Sequence, residues 1–346
     1  MTTHQEQADA SASAEPASSR SSHNARLDAF QRRHRAVAFP LAVIYKYFDD
    51  FGPYLAALLT YYAFVSLFPL LLLLATILGY VLRDNPQLQH DILRSALGQF
   101  PIIGDQLHDP KRLGGGPAGL TIGVLGALYG GLGVAQALQY AMNTAWAVPR
   151  NNRPNPFTAR IRSLLLVGTG GLALLGTTAM SAIGGSNVGQ FGGLLRVAAL
   201  VAAVLVNAGI FVLAFRLATT RPLTVRDVAP GALTAAVAWQ LLQLFGVPYV
   251  ASVIRNASVV NGVFALVIGL LAFLYLASVA AVISVEINVV RVDRLYPRAL
   301  LTPFTDNVRL TRSDRRAYRK QAKAQRAKGF QDIDVTFRDK REPPGV

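Results

Sequence analysis

The sequence predicts an all-α fold, a polytopic bundle of six membrane-spanning helices. Three observations carry that reading. Of the 346 residues 52% are hydrophobic and only 15% charged, where a soluble domain carries about 25% charged residues. The mean hydropathy is +0.35. The charge is segregated, with long uncharged runs separating short basic loops and two polar tails, which is how a chain divided between lipid and water distributes it.

A helix needs about 20 mostly apolar residues to cross the hydrocarbon. Six segments qualify, at about 54–82, 118–140, 161–183, 194–217, 228–250 and 262–285. Pro69 interrupts the first; it lacks an N–H and crowds the preceding turn, so a kink near Val65 is expected. Two shorter segments flank that span. Phe39–Phe51 mixes apolar residues with Lys46, Asp49 and Asp50 and reads as an interfacial helix. Leu88–Phe100 sets Leu88, Ile92, Leu93 and Leu97 at helical spacing, as a short amphipathic helix on the outer face or a lid on the bundle.

Orientation follows from Lys and Arg, which accumulate in cytoplasmic segments. Both tails are basic. So are the loop with Arg150, Arg153, Arg160 and Arg162 and the loop with Arg216, Arg221 and Arg226. The alternate loops are balanced, uncharged or carry a single base, Arg255. Six spans place every basic-rich segment on one side, so both termini are expected in the cytoplasm of a multi-pass inner-membrane protein. Residues 1–38 read as a disordered polar and basic tail without a cleavable signal. Residues 39–295 form the membrane domain and 296–346 a basic cytoplasmic tail.

With no cysteine, disulfides, thiolate metal sites and cysteine nucleophiles are excluded. The histidines His4, His23, His34, His90 and His108 form no metal-ligand cluster. There is no phosphate-binding Gly-rich loop and no Gly-x-Ser-x-Gly elbow. No catalytic residue, metal or cofactor is therefore expected, and no enzymatic activity.

Polar residues at membrane depth are the better leads, because polarity there is costly. Ser66 accompanies Pro69 on the first span, Asn207 lies in the fourth, and Gln240 and Gln243 lie three apart on the fifth. Glu286 and Asn288 end the sixth. Each can be read as a helix–helix hydrogen bond or as the lining of a polar pathway. For Glu286 the plainer reading is an ion pair with Arg216 or Arg162. On the second span Gly119, Gly123, Gly126 and Gly130 form two Gly-x-x-x-Gly pairs, which let another backbone approach; packing and a movable wall both fit them.

The tail from Thr311 to Lys328 is strongly basic, with its charges read as spread around a helix axis. Attraction to anionic lipid headgroups is the expected interaction. Nucleic acid binding is not expected, and self-association stays open.

The run Tyr54–Pro69, reading YLAALLTYYAFVSLFP, resembles the first-span signature of the YihY/BrkB membrane family, once labelled ribonuclease BN. Pro230-Gly231, Trp239–Gly246, Pro248-Tyr249-Val250, Leu274-Tyr275-Leu276 and Glu286-Ile287-Asn288 are also similar to that family. Departures fall at Asn261-Gly262 and Ser284-Val285. The resemblance spans roughly residues 40–295 and implies a six-span inner-membrane protein linked to envelope integrity, virulence and lipid phenotypes. It implies no catalytic residues. Three functions follow as expectations: transport or organisation of lipid or another amphiphilic solute, a non-transporting scaffold acting through its basic tail, and a membrane-bound ribonuclease, the least supported.

Overall fold

The computed structural model describes residues 27–81, 87, 116–184, 192–255, 259–306 and 308–337. Among them the chain is helical, without strands. Residues 27–33 are helical, followed by α1 (Arg35–Asp49), α2 (Gly52–Val81), α3 (Gly116–Ala145), α4 (Pro156–Gly184) and α5 (Gly192–Leu217). Then come α6 (Val225–Leu241), α7 (Val247–Arg255), α8 (Val259–Val292) and α9 (Arg312–Lys323).

Helices α2, α3, α4, α5, the α6–α7 pair and α8 occupy the six apolar segments of the sequence. Each packs on its neighbour in the chain, and α8 returns to α2, which closes the bundle; α8 also touches α1, α3 and α7. Among the described residues three stretches, Leu200–Leu217, Val225–Val250 and Phe264–Val292, are long and apolar enough to cross a membrane. Only 6% of Leu200–Leu217 is buried in the bundle. So large an apolar face is unstable in water and matches lipid as the surrounding solvent.

The expected short helix before the first span is α1, and it is sunk into the bundle, with Ala42, Val43, Tyr45 and Lys46 buried. It turns into α2 through Phe51, whose φ is 56°. A side chain at the next residue, Gly52, would overlap the Tyr47 ring. Helix α2 continues through Pro69 to Val81. The Leu88–Phe100 segment lies outside the described residues.

Thr224 caps α6, its N–H and hydroxyl donating to Asp227 at 2.9 and 2.7 Å, which meets the unsatisfied donors of a helix start. Between α6 and α7, Leu242–Gly246 widens into a π turn. Pro248 accounts for it: its ring cannot sit against the Leu244 carbonyl of a regular turn and it offers no N–H, so the backbone spreads ahead of it.

Candidate functional site

The Ser66–Pro69 corner faces α3. A Cβ on Gly126 would lie 2.6 Å from Pro69 Cβ, and one on Gly130 would lie 2.5 Å from Ser66 Cα and 2.9 Å from its nitrogen. Gly133 meets the Tyr62 ring in the same way. Residues 62, 66 and 69 thus run antiparallel to 133, 130 and 126, each large group seated over a glycine. Gly123 is buried on the same helix, and Gly119 lies in its first turns. Ser66 Oγ donates to the Ala63 carbonyl at 3.0 Å. This seam is close helix packing.

The two polar residues at the end of α8 face different neighbours. Asn288, 1% exposed, accepts from Gly231 N–H at 2.8 Å and donates to the Val228 carbonyl at 3.1 Å. Gly231 is required there, because a Cβ would collide with the Ser284 carbonyl and the Asn288 amide. Glu286, fully buried, faces α1. Its Oε2 lies 3.7 Å from Lys46 Nζ, and Lys46 also pairs with Asp50 and donates to the Ala145 carbonyl at 3.2 Å. Neither Glu286 oxygen has a hydrogen-bond partner among the described residues. The expected pairing with Arg216 or Arg162 is not what forms: these donate instead to the carbonyls of Leu223 and Thr219, each at 3.0 Å. Lys46 reaches Glu286 because α1 packs against α8, a contact that sequence spacing does not reveal. Burial disfavours the Lys46 ammonium, but the carboxylates of Asp50 and Glu286 outweigh burial and raise its pKa.

Asn207, Gln240 and Gln243 are half-buried. No hydrogen bond among the described residues joins them to each other or to the remaining candidates. On another face of the same helix, away from the two glutamines, the π turn opens an apolar groove of about 700 Å³, lined by Leu241, Leu242, Phe245 and Tyr249 with Leu276 and Ala280 of α8.

The C-terminal segment is folded onto the basic end of the bundle. Arg298, 1% exposed, donates from Nε to Asp314 at 2.7 Å and pairs with Asp49 through Nη1. Its carbonyl accepts from Gln31 Nε2 at 2.5 Å. Asp314 caps α9, accepting from Thr311 N–H and hydroxyl at 2.8 Å each and from Ala299 N–H at 3.0 Å. Gln321 Nε2 donates to the Asp49 carbonyl at 2.6 Å. Beyond α9, the carbonyls of Ala324 and Arg326 accept from Arg150 and Asn151 of the α3–α4 loop at 3.1 and 3.2 Å.

Docked this way, α9 walls a cavity of about 980 Å³ against the loops after α3, α5 and α8. Arg312, Arg315, Arg316, Arg319, Lys320 and Lys323 line it together with Arg221 and Trp146, and Asp293 is the single acid of the lining. The charges were expected to spread around the axis. They do not: the bases of α9 follow a three–four spacing along one face, and of the two beyond the helix Arg326 keeps that spacing and only Lys328 departs from it. Asp293 accepts from Arg221 Nη2 at 3.0 Å and pairs with Lys320 at 2.8 Å. Burial pushes its pKa up, but these two hydrogen-bonded cations outweigh burial and hold the carboxyl below its ordinary 3.8. The Arg221 guanidinium lies 4.6 Å over the Trp146 ring.

Sequence reasoning missed Lys46, Asp50, Arg298 and Trp146 as site residues. Lys46 and Asp50 carried a signal, an i,i+4 ion pair in an otherwise apolar helix. Trp146 and Arg298 carried none.

The sequence model of the virulence factor BrkB family matches residues 43–305. The chain belongs to this family, which is the YihY/BrkB family of the resemblance above. No curated protein and no solved structure matches the chain.

Proposed function

We propose that this BrkB-family membrane protein transports or organises lipid or another amphiphilic solute in the cell envelope, without catalysing a covalent reaction. In this reading it crosses the inner membrane six times, with both tails and the α9 cavity in the cytoplasm. The groove at the π turn carries the reading. It is apolar, opens on the outer face of the bundle at depth within the Val225–Val250 stretch, and has the volume of a small-molecule site, about 300–1,000 Å³. A π turn inside a helix often marks a functional position. Gln240 and Gln243 lie on the same segment but not in the lining, so the groove offers apolar walls suited to an acyl chain.

The test is reconstitution of the purified protein in liposomes with fluorescent phospholipids reporting transfer between leaflets, beside envelope lipid analysis of a deletion strain. If no lipid or solute moves and the deletion strain keeps its lipid composition, the reading fails. Leu241→Trp, which would fill the groove, should slow transfer while leaving the fold intact.

The scaffold reading keeps one observation in its favour, a folded basic helix at the surface of the bundle. Truncation after Leu300 does not discriminate between the two, since it removes Asp314, a counterion of buried Arg298, and so disturbs the bundle as well. Replacing exposed bases outside the cavity, such as Arg309 and Lys328, is the better discriminator: a scaffold should lose its partners, whereas a transporter should keep its activity.

A further inference from the structure

We propose that the cavity between α9 and the bundle is a binding site for a phosphate-bearing anion. The excess of charge is the first ground. Asp293 is the single carboxylate in the lining, and Arg221 and Lys320 already neutralise it. Arg312, Arg319 and Lys323 of the α9 face bring positive charge that the lining does not balance, and among the described residues no carboxylate pairs with Arg312 or Lys323.

The second ground is independent of charge. Trp146 lines the cavity at 2% exposure, and its indole N–H is buried without an acceptor among the described residues. An unpaired buried donor costs about 1–3 kcal/mol, and a ligand whose binding brought an anionic oxygen to the indole N–H would offset it.

The third ground is preorganisation. The N-terminal cap, the Arg298–Asp314 pair and the Gln321 bond to Asp49 fix α9. Arg316 is tied to the Asp293 carbonyl at 3.1 Å. The helix and the side chains of Arg316, Lys320 and Arg221 are thus held in place before a ligand arrives, which lowers the entropy cost of binding. Guanidinium forks match phosphate oxygens in geometry as well as charge. At about 980 Å³ the space admits a headgroup or a small phosphorylated molecule, and a nucleic acid duplex is too wide for it. The site does not depend on the amphiphile reading, because the phosphate can be carried by a lipid or by a soluble metabolite.

The chain has two tryptophans, so Trp239→Phe leaves Trp146 as the reporter in the full-length, detergent-solubilised protein. Inorganic pyrophosphate should change the Trp146 emission saturably. In a second arm, nanodiscs containing phosphatidic acid should produce the same change where phosphatidylcholine does not. Arg312→Gln with Lys323→Gln should weaken binding by about tenfold or more, while Arg309→Gln with Lys328→Gln, outside the cavity, should leave it unchanged; thermal melting checks that both variants fold. Saturation by pyrophosphate supports the site with a soluble ligand, and saturation by phosphatidic acid alone supports it with a lipid headgroup. Equal weakening by both pairs would show unspecific attraction and overturn the proposal. So would no saturable response to either probe, or tighter binding of a single-stranded RNA oligonucleotide. Lipid transfer in liposomes is measured separately, so either reading can fail alone.

Discussion

Arg298→Ala should release α9 from the bundle. The side chain is fully buried between two carboxylates, Asp49 at 8% exposure and Asp314 at 0%. Removing one partner of a buried pair costs about 3–5 kcal/mol, because the other charge is stranded. Two features place the expected loss at the lower end. Asp314 keeps its three bonds from Thr311 and Ala299, so the stranded charge is mainly Asp49, which can take up a proton. Against that, the guanidinium also lies 5.3 Å from the Tyr318 ring and 5.9 Å from the Tyr45 ring, and those cation–π contacts add about 0.5–2 kcal/mol. A loss of about 3 kcal/mol corresponds to roughly a hundredfold rise in the open population. Native-state hydrogen exchange reads that population directly: amides of α9 should lose about two orders of magnitude of protection, while α5 and α8 stay as they are. Arg298→Lys keeps the charge but cannot bridge both carboxylates and should fall between. Unchanged α9 protection in Arg298→Ala, or an equal loss throughout the bundle, would refute the view that this residue pins the cap.

Three further outcomes follow from the same geometry. Gly130→Ala should destabilise the bundle by about 1–3 kcal/mol through overpacking, whereas Gly168→Ala and Gly170→Ala, whose added Cβ meets nothing within 4 Å, should be neutral or slightly stabilising; thermal melts of the three side by side decide it. Asp293 has a lowered pKa, so its contribution to docking α9 is fully present above its ordinary 3.8 and is lost as pH falls through the lowered value. Protease resistance of α9 should therefore be flat from about pH 7 to 5 and drop below about pH 4, and Asp293→Asn should remove the part of that drop owed to the Arg221 and Lys320 pairs. Lys46→Met should cost about 3–5 kcal/mol by stranding Asp50 and Glu286, while the triple change Lys46→Met, Asp50→Leu, Glu286→Leu should restore most of the melting temperature. Loss of lipid transfer in a stably folded triple variant would make that cluster functional rather than structural.

The helices were legible because a bilayer imposes one rule, a long apolar run with few charges, and six segments of the sequence follow it. The glycine seam was legible for a related reason, since spacing on a single helix is visible in sequence. What was hidden lies between helices. Glu286 and Asn288 are two residues apart and share a sequence context, yet one meets Lys46 on α1 and the other Gly231 on α6. Ser66 and Pro69 could be read as packing or as a pathway, and their seats over Gly130 and Gly126 give the packing side its partners. The α9 stripe was present in the sequence, in the three–four spacing from Arg312 to Arg326 with only Lys328 off it, and the expectation of scattered charge misjudged that spacing. Trp146 was invisible because its role depends on the loop after α5 and the chain beyond α8 meeting beneath it.

The docked cap bears on the orientation argument. Arg221, Arg298 and Lys320 are paired with Asp49, Asp293 and Asp314, so part of the charge that indicates sidedness is neutralised in the folded protein. The sidedness rule nevertheless counts Lys and Arg and gives acids little weight, because it acts on the chain during insertion, before the cap can form. Six spans with both tails inside should therefore hold despite the pairing. The cysteine-free sequence makes this directly measurable with single cysteines and a membrane-impermeant maleimide. Asn152→Cys, Thr224→Cys and Arg309→Cys should label only after the membrane is opened, and Gln106→Cys, in the balanced loop after the first apolar segment, should label in intact spheroplasts. Arg221→Gln should loosen α9 without changing any of these four results, since it alters the cap but leaves the loop basic. Labelling at 152, 224 or 309 in sealed spheroplasts would overturn the six-span arrangement and move the phosphate site to the other face.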